Sequence, residues 1–153
     1  MDASPEPVVV FLHADPVRAV RLSDRLTREG LKVMLFSDLS RALDAAGSCD
    51  AVIADISLEP GGADLCRIFK KDHAARGVPL LAFSSRSLED SLIGDLLSAG
   101  AMDVLVPPVS PALLLARVRN LVRIHREELY LREMERNYRN LFASSHYCLL
   151  YTS

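Results

Sequence analysis

Three apolar runs in this chain end on side chains that can do chemistry. VVVFL at 8–12 runs into His13, Ala14 and Asp15, DAVIAD at 50–55 ends on Asp55, and VPLLAF at 78–83 is followed by Ser84. An imidazole and a carboxylate brought within reach of each other would titrate as a pair and make their surroundings pH-sensitive. Imidazole suits the softer transition metals. Mg²⁺ wants hard oxygen donors, and neither His13 nor Ala14 supplies a carboxylate. Asp15 precedes Pro16, which suits a helix cap better than an inward ligand. Cys49, Cys66 and Cys148 are odd in number and lack the spacing of a metal site. They read as reduced thiols, with Cys49 and Cys66 as small apolar fillers.

The elements that must position these groups alternate along the chain. After Pro16, Ala19, Leu22 and Leu26 share one helical face until Gly30. LKVMLF is a second strand. Ser40 is expected to cap a short helix, RALDAA, that ends at Gly47. DAVIAD is a third strand, EPGG a loop, and ADLCRIFKKD a helix with Leu65 and Phe69 inward. VPLLAF is a fourth strand. Residues 87–90 resemble a capping box before a helix expected to bury Leu92, Ile93, Leu96 and Leu97 and to stop at Gly100. MDVLV is a fifth strand, Pro107-Pro108 breaks the chain, and Ser110-Pro111 starts a last helix. Short, continuously apolar strands alternating with helices predict a parallel sheet covered on both faces, with right-handed crossovers. Sites in such sheets lie at the carboxyl ends of the strands. His13, Ala14, Asp15, Asp55, Ser84 and Pro107 should then surround one crevice.

In this order, DAVIADISL and SAGAMDVLVPPVSPALLLARVRNLVRIH resemble the receiver domain of bacterial two-component response regulators, over roughly the first 126 residues. The resemblance implies a flavodoxin-like α/β fold: a doubly wound (βα)5 unit with a five-stranded parallel sheet. It implies that Asp55 holds the phosphoacceptor position and Ser84 that of the phosphoryl-contacting hydroxyl. It also shows departures. His13 and Ala14 stand where the family has an acidic pair, Pro107 where it has a lysine, and Val104 where it has the switch aromatic. Catalysis of phosphoryl transfer rests on positioning and charge. Losing the Mg²⁺ ligands and the lysine should cost several kcal/mol of transition-state stabilisation, at ~1.4 kcal/mol per tenfold in rate. The expectation is a degenerate receiver with no enzymatic activity and no bound metal or cofactor, the family ion Mg²⁺ being lost. It would act as a phosphorylation-independent interaction module; the alternative is a working phosphoacceptor, with Asp55 phosphorylated by a partner histidine kinase. His13 is expected to be a strand-end histidine satisfied by its neighbours. Asp55 would cap a loop or bond His13 or Ser84, and Ser84 would pair with backbone. The family's cis peptide places one at Pro107–Pro108. Its partner face, between the fourth helix and the fifth strand and helix, carries Leu96, Leu97, Val104 and Leu115 here. The sheet type is shared with flavodoxins, but no Gly-rich phosphate loop follows the first strand, which argues against flavin or nucleotide.

The last helix has no breaker after Pro111 and runs far beyond what a receiver needs. Leu114, Val118, Leu121 and Val122 should pack on the sheet. Ile124, Leu131, Met134, Tyr138 and Leu141 then fall at a and d spacing, with Glu127 intruding at a d position. The organisation expected is a receiver-like domain at 1–126, an extended helix or coiled-coil linker at 127–142 that makes a homodimer, and the start of a PAS-like domain at 143–153. Of the 153 residues half are hydrophobic and a quarter charged, ordinary for a globular chain. Residues 1–107 hold 11 Lys/Arg and 16 Asp/Glu, a balance of −5; residues 108–153 hold 7 Arg and 4 Glu, a balance of +3. The Arg residues alternate with Glu without an aromatic platform, so direct nucleic-acid binding is not expected. No apolar run approaches ~18 residues and the N-terminus has no basic start, so a membrane span and a secretory signal are not expected and a cytoplasmic location is.

Overall fold

The computed structural model describes residues 5–144. Five strand–helix units follow one another: β1 Val8–Leu12, α1 Pro16–Arg28, β2 Lys32–Phe36, α2 Leu39–Ala46, β3 Ala51–Asp55, α3 Gly62–Lys71, β4 Leu80–Phe83, α4 Asp90–Ser98, β5 Asp103–Leu105 and α5 Pro111–Ser144. The sheet is wholly parallel, in the order β2-β1-β3-β4-β5. This is the flavodoxin-like doubly wound arrangement that the alternation predicts.

Strand side chains alternate between two cores, because successive residues of a strand point to opposite faces. Val9, Phe11 and Ile53 join Ala19, Leu22 and Leu26 of α1 and Leu114, Val118, Leu121 and Val122 of α5. Val10, Leu12 and Val52 join Ala42 and Ala46 of α2, Leu65, Cys66 and Phe69 of α3, and Leu96 of α4. Cys49 and Cys66 are buried thiols, as small fillers should be, and burial pushes the Cys49 thiol up to about 11. Cys148 and the expected PAS-like start lie outside the described residues, save for its first two positions, which prolong α5.

Several local expectations need correction. The cap of α2 is Asp38, which accepts the Ser40 N–H at 2.9 Å; the helix begins at Leu39, so Ser40 lies inside the first turn and its own amide is one that the cap serves. No capping box forms at α4: the helix begins at Asp90, with Glu89 as an N-cap whose side chain makes no capping bond. On α4 only Leu96 is fully buried, Leu92 and Ile93 are half-buried, and Leu97 is 46% exposed. The helix is short and packs one edge, so two adjacent leucines cannot both face inward. Leu96 and Leu115 therefore belong to the core, Val104 is half-buried, and Leu97 alone of the expected partner face is open. The Pro107–Pro108 peptide is cis as the resemblance implies, and so is Glu59–Pro60.

α5 is one continuous helix of 34 residues. A clasp fastens it where it leaves the domain, at the end of the sheet opposite Asp55. Asp50 accepts the Val8 N–H at 3.0 Å, His125 Nδ1 lies 3.3 Å from the same carboxylate, and Arg126 reaches it at 3.4 Å. Arg126 also donates to the Pro5 carbonyl at 2.8 Å. Burial alone would raise the Asp50 carboxyl, but the Val8 N–H, Arg126 and His125 together hold it below its ordinary value. Beyond this point every side chain described on α5 is exposed.

Candidate functional site

The order of the sheet reverses at β1, whose chain continues to β2 on one side while β3 lies on the other. A crevice opens outside the strand ends at such a reversal. Here it is a cavity of about 120 Å³ lined by Phe11, His13, Ala14, Asp15, Arg18 and Asp55, with Ser57, Phe83 and Ser85 completing the wall. Four of the six predicted residues therefore meet. Ser84 lines an adjoining groove that shares Asp55 and Ser57 with the cavity. Pro107 lines neither.

Asp55 is 5% exposed, yet its carboxylate is not orphaned. Its Oδ1 accepts the Ser57 N–H at 2.9 Å and the Ser57 hydroxyl at 2.7 Å. This is an Asx-type turn, in which a short acidic side chain bonds backbone two residues on. Asp55 thus caps its own loop, one of the two arrangements expected of it; the other, a bond to His13 or Ser84, does not form. Ser84 pairs with backbone as expected, donating to the Arg86 carbonyl at 2.7 Å and accepting the Arg86 N–H at 3.1 Å. Asp15 caps α1, accepting from the N–H groups of Val17 and Arg18 at 3.1 and 3.3 Å.

His13 behaves differently. Its backbone N–H reaches the Phe36 carbonyl at 2.8 Å, but its side chain is not satisfied by its neighbours as the sequence suggested. The ring is 9% exposed and its Nδ1 is buried with no hydrogen-bond partner among the described residues. Asp15, Asp55 and Ser84 make the bonds described above within their own turns, and none of them is bonded to this nitrogen. The imidazole instead sits edge-on to Phe11, 6.2 Å between ring centroids, and Phe11 meets Phe83 at 6.0 Å in the same manner.

Three polar lining residues, Ser57, Ser85 and Arg18, were not singled out from the sequence. Ser57 was legible in principle, as a serine two residues after an aspartate at a strand end. Arg18 was hidden among the arginines of an amphipathic helix. Its guanidinium lies 5.4 Å from the centroid of Phe83, a cation–π contact that holds it at the rim of the cavity. The charges lining the cavity are thus one arginine and two aspartates, one of which is committed to a helix N-terminus.

No protein-family model matches the chain. Among curated proteins, the DNA-binding response regulator MtrA of Mycolicibacterium smegmatis is 33% identical over 125 residues, covering 78% of this chain and 52% of that protein. The chain spans about half the length of the curated relatives it matches. Among solved structures, a CheY-like response regulator receiver domain protein from Methanospirillum hungatei superimposes with a TM-score of 0.70 at 19% identity, over 82% of this chain and 99% of that one. The receiver domain of sensor histidine kinase PA1611 from Pseudomonas aeruginosa, which has a magnesium ion in its active-site cleft, gives 0.65 at 23% identity, over 76% of this chain and 98% of that one. Sequence and fold agree on the same stretch: the matched part of this chain is a receiver domain of the response-regulator, CheY-like type.

Proposed function

We propose that this receiver is a phosphorylation-independent interaction and dimerisation module of a larger two-component signalling protein. The observation that carries the reading is the isolation of Asp55. Ala14 and Pro107 bring neither carboxylate nor ammonium to it, and Asp15 is spent on the α1 amides. Mg²⁺ needs near-octahedral oxygen ligation, usually from more than one carboxylate. The donor set here, one aspartate whose Oδ1 already serves the Ser57 turn, beside an imidazole and a guanidinium, fits that ion poorly. Without Mg²⁺ or a lysine, the developing charge of a transferred phosphoryl group has little to neutralise it. The module has no catalytic turnover of its own in this reading. Its signal passes by packing of α5, through a homodimer formed by the helix extension, to a following PAS-like domain, and its partners are other signalling domains rather than nucleic acid. A cytoplasmic location accords with this role; among the described residues no helix is long and apolar enough to cross a membrane.

A second reading has one specific support. Asp55 keeps the phosphoacceptor position at the end of β3, and Arg18 brings a cation to the rim of its cavity. A partner histidine kinase would then phosphorylate Asp55. Incubation of the full chain with acetyl phosphate, or with beryllofluoride and Mg²⁺, separates the two readings. Intact mass and a ¹⁹F spectrum should show no adduct; a stoichiometric adduct lost in Asp55→Asn overturns the first reading in favour of the second.

A further inference from the structure

α5 has two apolar faces, and they point in opposite directions. The face packed on the domain is formed by Leu114, Leu115, Val118, Leu121, Val122 and His125, all buried. At 3.6 residues per turn the next position of that row is Leu129, after which it becomes Arg132, Arg136 and Asn140. The apolar residues of the extension lie elsewhere. Tyr130, Leu131, Met134 and Tyr138 are 61%, 65%, 50% and 61% exposed, and they form a stripe about half a turn round the helix from the buried row. Tyr138 stacks on Phe142 along it, at 4.4 Å between centroids. This stripe cannot fold back on its own domain, because the helix would have to rotate by half a turn and expose its present core.

We infer that the occupant of this outward stripe is the same stripe of a second copy, parallel and in register, with the two receivers carried on the outer sides of the pair. The inference rests on the dimerising role proposed above and fixes its surface and direction. The spacing from Leu131 to Met134, Tyr138 and Leu141 alternates between three and four residues, the seam of a two-stranded coiled coil. Charge decides the direction. One heptad nearer the domain the same seam continues through Ile124 and Glu127, and in a parallel pair the residue before Ile124 faces the partner's residue five further on, which sets Arg123 against the partner's Glu128 on both sides. An antiparallel pair with the same seam would instead set Glu128 against the partner's Glu135 twice along one side of the pair, four carboxylates relieved only by the Arg139 that each Glu135 already holds at 2.6 Å. The parallel pair places Glu127 opposite the partner's Glu127 at the domain-proximal end of the seam. That like-charge layer makes the association weak and reversible and gives it a place to open first.

The test uses the full chain carrying Cys148→Ser, since Cys49 and Cys66 are buried. Mild oxidation should cross-link Met134→Cys to itself, and should not cross-link Arg136→Cys on the opposite side. Light scattering should show Leu131→Glu to be monomeric with an unchanged melting curve, and Glu127→Leu to dimerise at least tenfold more tightly. Arg123→Glu should weaken the dimer, and adding Glu128→Arg should restore it. A monomer for both wild type and Glu127→Leu overturns this inference and the dimer role together. A dimer that survives Leu131→Glu overturns the inference alone, since another face then holds the copies. A cross-link that requires mixing Leu131→Cys with Met134→Cys shows the antiparallel pair and overturns the stated direction.

Discussion

Replacing Asp50 by alanine should loosen the molecule where α5 leaves the domain, although Asp50 is far from the candidate site. One carboxylate there serves three donors on two distant segments: the Val8 N–H at 3.0 Å, His125 at 3.3 Å and Arg126 at 3.4 Å. A well-formed hydrogen bond to a charged group contributes about 1.5–3 kcal/mol. The longer contact to Arg126, which is partly exposed, adds about 0.2–1 kcal/mol. Asp50→Ala should therefore cost about 2–3 kcal/mol, or about 5–10 °C in Tm for a chain of this size. Asp50→Asn keeps an acceptor for Val8 and loses only the charge, so it should cost about half as much. The pH dependence has a definite sign. The folded carboxyl lies below its unfolded value, which is about 3.9. Its contribution is complete above the unfolded value and fades as pH falls through the folded one. Urea denaturation at pH 7 should show the full difference between wild type and Asp50→Ala, and the gap should close in stronger acid. A variant within about 0.5 kcal/mol of wild type at pH 7, or a gap that does not change on acidification, would refute the clasp.

Three other expectations concern the scaffold. Asp15→Ala should destabilise by ~1 kcal/mol, because it removes the acceptor for two first-turn amides of α1, and denaturant midpoints measure it. Gly100→Ala should be worse than Gly30→Ala in thermal melts: both glycines have positive φ, but a Cβ at 100 would also meet the Lys70 side chain, whereas none lies near 30. Alkylation of Cys49 in the folded protein should be undetectable at pH 8 on the timescale of minutes, since the thiol is buried and its pKa stands near 11; mass spectrometry with and without denaturant reads this out.

The strand positions, the doubly wound class and the helix faces of α1, α3 and the first half of α5 were fixed by local pattern: continuous apolar runs for strands buried on both faces, and three-to-four spacing for helices buried on one. So was the meeting of His13, Ala14, Asp15 and Asp55, because parallel strands put all their carboxyl ends on one side. Other features depended on the exact direction of single side chains. Whether Leu96 or Leu97 faces inward follows from how a short helix is rotated against the sheet. Whether His13 finds a partner depends on where its ring and the acceptors of three separate strand ends come to lie, which no sequence neighbour announces. The Asp50 clasp joins residues 75 positions apart, and no local signal in the chain could announce it. Periodicity located both apolar faces of α5, but only the fold decided which is core. The helix is anchored by its first half, and that rotation leaves the second stripe pointing outward.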